Sequence, residues 1–455
     1  MGAALVMAGV LAACAPEEEN SSQLESGVSS QISLENNGSE TKLVVAEISV
    51  SPERTQALRE IAEKYEADFP KTEIEIQTVQ SGEEAEKLLE EGKVDLVELS
   101  EEEQPACVKQ GLLVDLTPYL DGWEEYPQLT AAAKQVVASM GEDWAYLLPA
   151  TLDQKLLYYR SDWFEEYNAN REEGLVYCRT WDEICQMTEK LADKGVAGMV
   201  FGGSDQLLDV YDSMVWSAVS LGRMEDPAAA YFSAVEDHDT VFSIEQAASA
   251  TEQLVTLMET AVPEEALNWT EEQAVDAFID GKAISLLAGQ DQMEKIDSEM
   301  EEGTWDVAAY PRGLTGSAIT GLKFTGFGIA ASSENPGNAA HFLTYLSNQD
   351  NNTHLAKVCG TVPIFTTAAD LEPTLEESNL AVNLLMVRRA DWYFYAQEPV
   401  MYQAYEGYRD WADGLLRKFL TGELSQQELL DQLDGYWSQA RTDEGELWTK
   451  EPETE

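Results

Sequence analysis

The sequence predicts an α/β protein, a largely parallel sheet with helices on both faces. Two observations carry this. Short apolar runs of strand character alternate with longer runs whose apolar residues recur every three to four positions, a β-α-β-α-β rhythm. The helical runs also carry their own start signals, a Ser, Thr or Asn followed by Pro or by Glu/Gln three residues on. With 455 residues and 44% hydrophobic content, the chain is long enough for two or more lobes with separate cores.

The elements follow in order. "KLVVAEIS" is a strand over residues 42–49. Ser51 is a good cap and Pro52 suits the first helical position, after which Leu58, Ile61, Tyr65 and Phe69 fall on one face. "EIEIQTV" is a strand over 73–79, "GEEAEKLLEEG" a helix and "VDLVELS" a strand over 94–100. "WAYLLPATLDQKLLYYR" holds two strand-like runs separated by Pro149 and Asp153. Thr180 with Glu183 reads as a capping box for a helix stopped at Gly195, and Thr270 with Gln273 as a second. "VAGMVFGG", "KAISLLAG" and "GFGIAAS" are strands, and Asn335 with Pro336 opens a helix lined by Ala339, Phe342, Leu343 and Leu346. From about Ala381 the chain reads as helical and aromatic-rich, with a third capping box at Ser425 and Glu428.

The chain opens "MGAALVMAGVLAACAPEEEN". Its apolar run over 3–13 is about half the ~20 residues that a spanning helix needs, and has the length of an export-signal core. Leu11-Ala12-Ala13-Cys14 resembles the lipobox of bacterial lipoproteins. The resemblance implies that 1–14 is a signal peptide and that Cys14 carries diacylglycerol. No Lys or Arg precedes Lys42, although such signals begin with a positive segment, and a true start upstream of Met1 is the expected reason. Residues 15–41, with six Glu and no basic residue, read as a flexible acidic tether.

Charge narrows the partners. Against 28 basic side chains stand 85 acidic ones, a net −57. Nucleic acid is excluded as a partner, since binding phosphates needs Lys/Arg patches. Anionic small ligands are repelled at long range unless a local basic pocket exists. Of the other four cysteines, Cys178 and Cys185 are open to pairing, but half the residues between them read as helix, which separates them. Cys107, Cys178, Cys185 and Cys359 are expected as buried thiols. There is no CxxC and no HExxH, so no metal or other cofactor is expected.

"GLLVDLTPYL", "LLYYRSDWFEEYN", "RTWDEICQMTEKLADKGVAG", "AFIDGKAISLLAG" and "NPGNAAHFLTYLSNQDNNTHLAKVCGTVPI" occur in that order, and "FLTGELSQQELLDQL" closes the chain. Together, over about 42–440, they resemble extracellular solute-binding protein family 1, the sugar receptors of ABC importers, which are similar to maltose-binding protein. The resemblance implies a periplasmic-binding-protein-like fold, two doubly wound α/β lobes joined by hinge strands with a ligand cleft between. The first lobe is expected over 42–153 and 329–358, the second over 157–325 and 362–455. Crossings are expected near 153–156, 325–329 and 359–363.

A sugar site needs carboxylates or amides for hydroxyls and an aromatic plate for the apolar sugar face. At strand ends and crossings the candidates are Glu47, Ser49, Glu98, Ser100, Asp153, Gln154, Gln290, Asp291 and Phe324. Candidate plates are Trp216, Trp269, Trp392 and Tyr393. Trp216 reads equally well as a core tryptophan, and any one carboxylate among 85 acids as a solvated surface charge.

The resulting expectation is a monomeric, non-catalytic receptor on the outer face of the cell membrane, held there by lipid alone. It would deliver a carbohydrate to the permease subunits of an ABC importer. The same fold binding a cation, polyamine or peptide is one alternative. A surface glycoside hydrolase with two carboxylates is another, although no GxSxG nucleophile motif appears.

Overall fold

The computed structural model describes residues 38–444, apart from 50, 141–143, 170, 172–173, 220–229, 233–239, 373–378, 390–392, 396–399 and 401. Cys14 and Trp392 lie outside the described residues.

The first sheet begins with β1 (Thr41–Ile48), α1 (Pro52–Asp68), β2 (Thr72–Val79), α2 (Gly82–Glu90) and β3 (Leu96–Ser100). Ser51 Oγ accepts the Arg54 N–H at 3.1 Å, and Pro52 occupies the first turn, so the cap forms as the sequence suggests. Leu58, Ile61 and Tyr65 of α1 are buried in the first core. β4 (Leu148–Asp153) and β10 (Lys323–Ile329) complete the order β2-β1-β3-β10-β4. β1 pairs in parallel with β2 and β3, but β10 is antiparallel to both its neighbours. The sheet is therefore mixed, because β10 returns from the second lobe and enters from the opposite end.

The second sheet holds β5 (Lys155–Tyr159), β6 (Ala197–Val200), β7 (Ala283–Gly289) and β8 (Asp306–Ala308) in the order β6-β7-β5-β8. Every residue of β7 is buried, as suits a strand covered on both faces. Gln273 and Thr270 cap the helix Glu271–Ile279 reciprocally. At Thr180 only half of the expected box forms. Thr180 Oγ1 accepts the Glu183 N–H, but the Glu183 carboxylate takes the Arg179 N–H at 2.7 Å. Asn335 precedes the helix Pro336–Leu346 without a side-chain cap bond.

Each sheet has its own core. Leu43, Leu96, Phe327 and Phe342 pack around the first, and Leu157, Phe201, Trp216 and Trp437 around the second. The chain passes from the first sheet to the second between Asp153 and Lys155. The other two passages lie elsewhere than expected. All of β10 belongs to the first sheet, while Ala318 and Ile319 belong to the second core, so that passage falls just before Lys323. Val362, Ile364, Phe365, Leu384 and Val387 still pack in the first core, and Met386 and Tyr393 in the second. The third passage therefore runs through the helix Ala381–Arg388, about 25 residues beyond 359–363.

The aromatic run after Asp391 is not helical throughout. β11 (Tyr393–Tyr395) pairs in parallel with β9 (Ala318–Thr320), so two lobe-linking segments run side by side. An extended strand lets successive side chains alternate between faces, which a helix of consecutive aromatics does not. The cysteines at 107, 178, 185 and 359 are free thiols, the first two buried and the last two half-buried.

Candidate functional site

Glu47 and Glu98 sit at the carboxyl ends of β1 and β3, but both are fully buried and face inward. Arg54, in the first turn of α1, folds back over them. Its Nη2 donates to Glu98 Oε1 at 2.6 Å, and its Nη1 to Glu98 Oε2 at 3.0 Å and Glu47 Oε1 at 3.2 Å. Thr55 and Thr325 add hydroxyl donors to Glu47 and Glu98. Burial pushes the Glu47 carboxyl upward, against the pull of Arg54 and Thr55. These two carboxylates tie the strand ends to α1 rather than offering themselves to a solute. The sequence pattern did not reveal this, because the cation that buries them lies on the next element.

The neighbouring serines remain accessible. Ser49 is exposed, and half-buried Ser100 donates its Oγ to Glu103 Oε2 at 2.5 Å. Gly82 makes room for that arrangement, since a Cβ there would lie 1.8 Å from Glu103 Oε1. Phe324 is buried in the first core, not at the surface between lobes, because β10 is flanked on both sides.

The first passage between lobes gathers charge. Asp153 is registered against Lys323 on β10, and its Oδ1 is buried with no hydrogen-bond partner. Burial, then Asp291 and Glu271, push the Asp153 carboxyl up to about 7, with Lys155 opposing. Lys155 Nζ stands 3.6 Å from Glu271 Oε2, and Glu271 Oε1 accepts the Gly289 N–H at 2.5 Å. Asp291 is exposed beside them. Glu101, which sequence reading missed, joins from the first lobe. Its Oε2 accepts the Phe324 N–H at 3.1 Å, and burial raises its carboxyl.

Gln290 and Gln154 serve a different role from the one expected. Both are buried. The Gln290 amide donates to Leu152 O at 2.8 Å and accepts from Asn383 Nδ2, while its backbone N–H reaches Gln154 O at 3.0 Å. Gln290 thus fastens the first passage to the third. Asn383 had no signal in the sequence, since it lies in an apolar helical run.

Trp216 is 2% exposed, on a helix (Gly203–Val219) buried nearly all round, and is a core side chain. Tyr393 is also largely buried, at 7%. Trp269 is half-buried, and it immediately precedes Thr270 and Glu271. The structure therefore brings together Asp153 and Asp291 with Glu101, Lys155, Glu271 and Lys323, while the Trp269 side chain packs at the edge of the second core. Among the described residues no group of three or more His, Cys, Asp or Glu is arranged to hold a metal ion. No helix among them is long and apolar enough to cross a membrane.

Residues 60–381 match the family described as bacterial extracellular solute-binding protein. The chain belongs to that family. This solute-binding protein is 26% identical over 214 residues to a probable ABC transporter-binding protein of Deinococcus radiodurans, a match covering 44% of this chain and 46% of that one. It thus spans about half the length of the curated relative that it matches. Solved structures resemble it over nearly their whole length. Maltose-bound MalE3 of T. maritima gives a TM-score of 0.65 at 20% identity, covering 88% of this chain and 99% of that one. The cyclic α-maltosyl-1,6-maltose binding protein of Arthrobacter globiformis gives 0.69 at 16%, covering 88% and 99%. The maltose-binding periplasmic protein MalE of Listeria monocytogenes, in complex with maltose, gives 0.68 at 16%, covering 90% and 100%. At such identities the likeness is one of fold.

Proposed function

We propose that this solute-binding protein captures a carbohydrate between its lobes and delivers it to an ABC importer, without catalysis. The observation that carries the reading is the polar junction at the first passage. Asp153, Asp291, Glu101 and Glu271 offer carboxylates and Lys155 and Lys323 offer donors, and half-buried Trp269, two residues before Glu271, is the proposed flat apolar face. Those are the groups a saccharide needs. The junction lies where the chain crosses between lobes, so hinge closure would bury a solute there. Support for a sugar comes from the three solved structures of the same fold, whose described ligands or specificities are maltose and a cyclic maltosyl-maltose. Ser49 and Ser100 are the proposed first-lobe contacts, and Trp392 a further plate.

Melting against a panel of mono- and oligosaccharides tests this. A ligand of the native state raises the melting temperature by mass action, about 2.7 kcal/mol of stabilisation at a hundredfold excess over Kd. Absence of any shift across the panel removes the carbohydrate reading.

Anchoring through a lipid on Cys14, with 15–41 as tether, completes the proposal. Two-chain modification holds a protein stably at a membrane where one acyl chain does not. In the producing cell, Cys14→Ala is expected to shift the protein from the membrane fraction to the medium. Retention of the variant on the membrane would refute the anchor.

A further inference from the structure

We infer that the Gln290 side-chain amide is a two-position clasp at the pivot between the lobes. In the arrangement of this structure it donates to Leu152 of the first lobe. When the lobes rotate, it passes that donor to Asn383 instead. The inference goes beyond the carbohydrate reading and needs no particular solute.

Three chain segments meet at this amide. Gln290 follows β7 of the second sheet, and its backbone N–H extends the β5–β7 pairing to Gln154 O at 3.0 Å. Its Nε2 reaches further back and donates to Leu152 O at 2.8 Å. Leu152 lies on β4, paired with Phe324 in the first sheet. A second-lobe side chain thereby holds first-lobe backbone. On its other side, Gln290 Oε1 accepts Asn383 Nδ2 from the helix Ala381–Arg388. That helix serves both cores, with Leu384 and Val387 in the first and Met386 in the second.

These contacts leave one group unmatched. Asn383 is 0% exposed, and its Oδ1 has no hydrogen-bond partner. A buried amide oxygen without a donor is unfavourable. Two primary amides can bond reciprocally, each donating to the oxygen of the other. Only half of that pair forms here, because Gln290 Nε2 is turned to Leu152 O. Turning the Asn383 amide over would not complete it, since two carbonyl oxygens would then face each other. Moving the second lobe off Leu152 releases the Gln290 donor, and a bond to Asn383 Oδ1 replaces the one given up.

The number of hydrogen bonds is conserved in this exchange. The pivot is therefore close to balanced between two lobe angles, and a solute touching both lobes needs only a modest differential affinity to choose between them. Gln290 and Asn383 act as positioning residues, at a distance from the solute.

Small-angle X-ray scattering of the whole, solute-free protein tests the clasp. The parent is expected to require two lobe arrangements, one of them that of this structure. Asn383→Leu removes the alternative acceptor and should raise the ratio in favour of this arrangement about tenfold, the worth of one hydrogen bond. Gln290→Met combined with Asn383→Leu removes the donor as well. The double variant should return the ratio to the parent value or below, with a melting temperature near that of the parent, because both partners of the bond become apolar groups of similar size. A parent curve fitted by this arrangement alone would overturn the inference without recourse to any variant. Identical curves for parent and Asn383→Leu, or an equal shift in the double variant, would also overturn it. No solute enters the experiment, so each of these results leaves the carbohydrate reading standing.

Discussion

Arg54→Met is expected to destabilise the first lobe by about 3–5 kcal/mol, the cost of removing one partner from a buried ion pair. Arg54 and the two carboxylates it serves are 2%, 0% and 0% exposed. Burial alone would lower the pKa of Arg54, yet Glu98 and Glu47 hold it firmly charged. Without the guanidinium, Glu98 loses two donors and Glu47 loses one, in a site closed to water. Glu47 Oε2 already has no hydrogen-bond partner, so no spare donor is in place to compensate. The neutral replacement fills much of the volume, which separates loss of charge from loss of packing. Chemical denaturation at neutral pH reads the effect. A variant whose midpoint stays within experimental error of the parent would show that the cluster does not hold α1 to the strand ends. Adding Glu47→Gln and Glu98→Gln to Arg54→Met should recover part of the loss, since the uncompensated charges are then gone.

Asp153→Asn is expected to stabilise the protein above pH 7 and to leave it unchanged near pH 4. The native Asp153 carboxyl is pushed up to about 7 from an ordinary value of 3.8. Between those values the folded state keeps a proton that the unfolded chain has already released. Stability therefore falls as pH rises through that window, and the cost is complete above pH 7. Raising a carboxyl that far corresponds to roughly 4 kcal/mol, an upper figure for a group that is partly exposed. The groups facing Asp153 are Asp291, Glu271, Lys155 and Lys323, and the two carboxylates oppose its ionisation. Melting curves of parent and variant from pH 4 to 8 measure the difference. Parallel curves over that range would show that Asp153 ionises freely. In the proposed site the same substitution should weaken solute binding, an example of stability exchanged for function.

Much of the architecture was legible because it is local. Ser51 with Pro52, and Thr270 with Gln273, mark helix starts through contacts within one turn, and the structure repeats them. β1 and β7 announce themselves as short apolar runs between turn residues, and β2 by its alternation of polar and apolar residues. The site was less legible because its decisive contacts are distant in sequence. Glu98 meets Arg54 from 44 residues away and Thr325 from 227, and Gln290 meets Asn383 from 93. A polar residue at a strand end looks the same in sequence whether it faces a solute or a buried guanidinium. Trp216 shows the converse. Its helix is covered on nearly every side, so its neighbours in sequence do not reveal a preferred face. The third passage was misplaced for a related reason. Val362 to Ala368 is apolar enough for either core, and only the fold assigns it to the first.

Reversible capture of one solute per chain is tested most directly by isothermal titration. The titrant is the saccharide that most raises the melting temperature, and it is afterwards recovered and analysed. Saturation is expected at one molecule per chain, with a negative heat-capacity change as the sugar's apolar face is covered, and with the saccharide recovered intact. Titration without saturation, or recovery of cleaved saccharide, would contradict reversible capture.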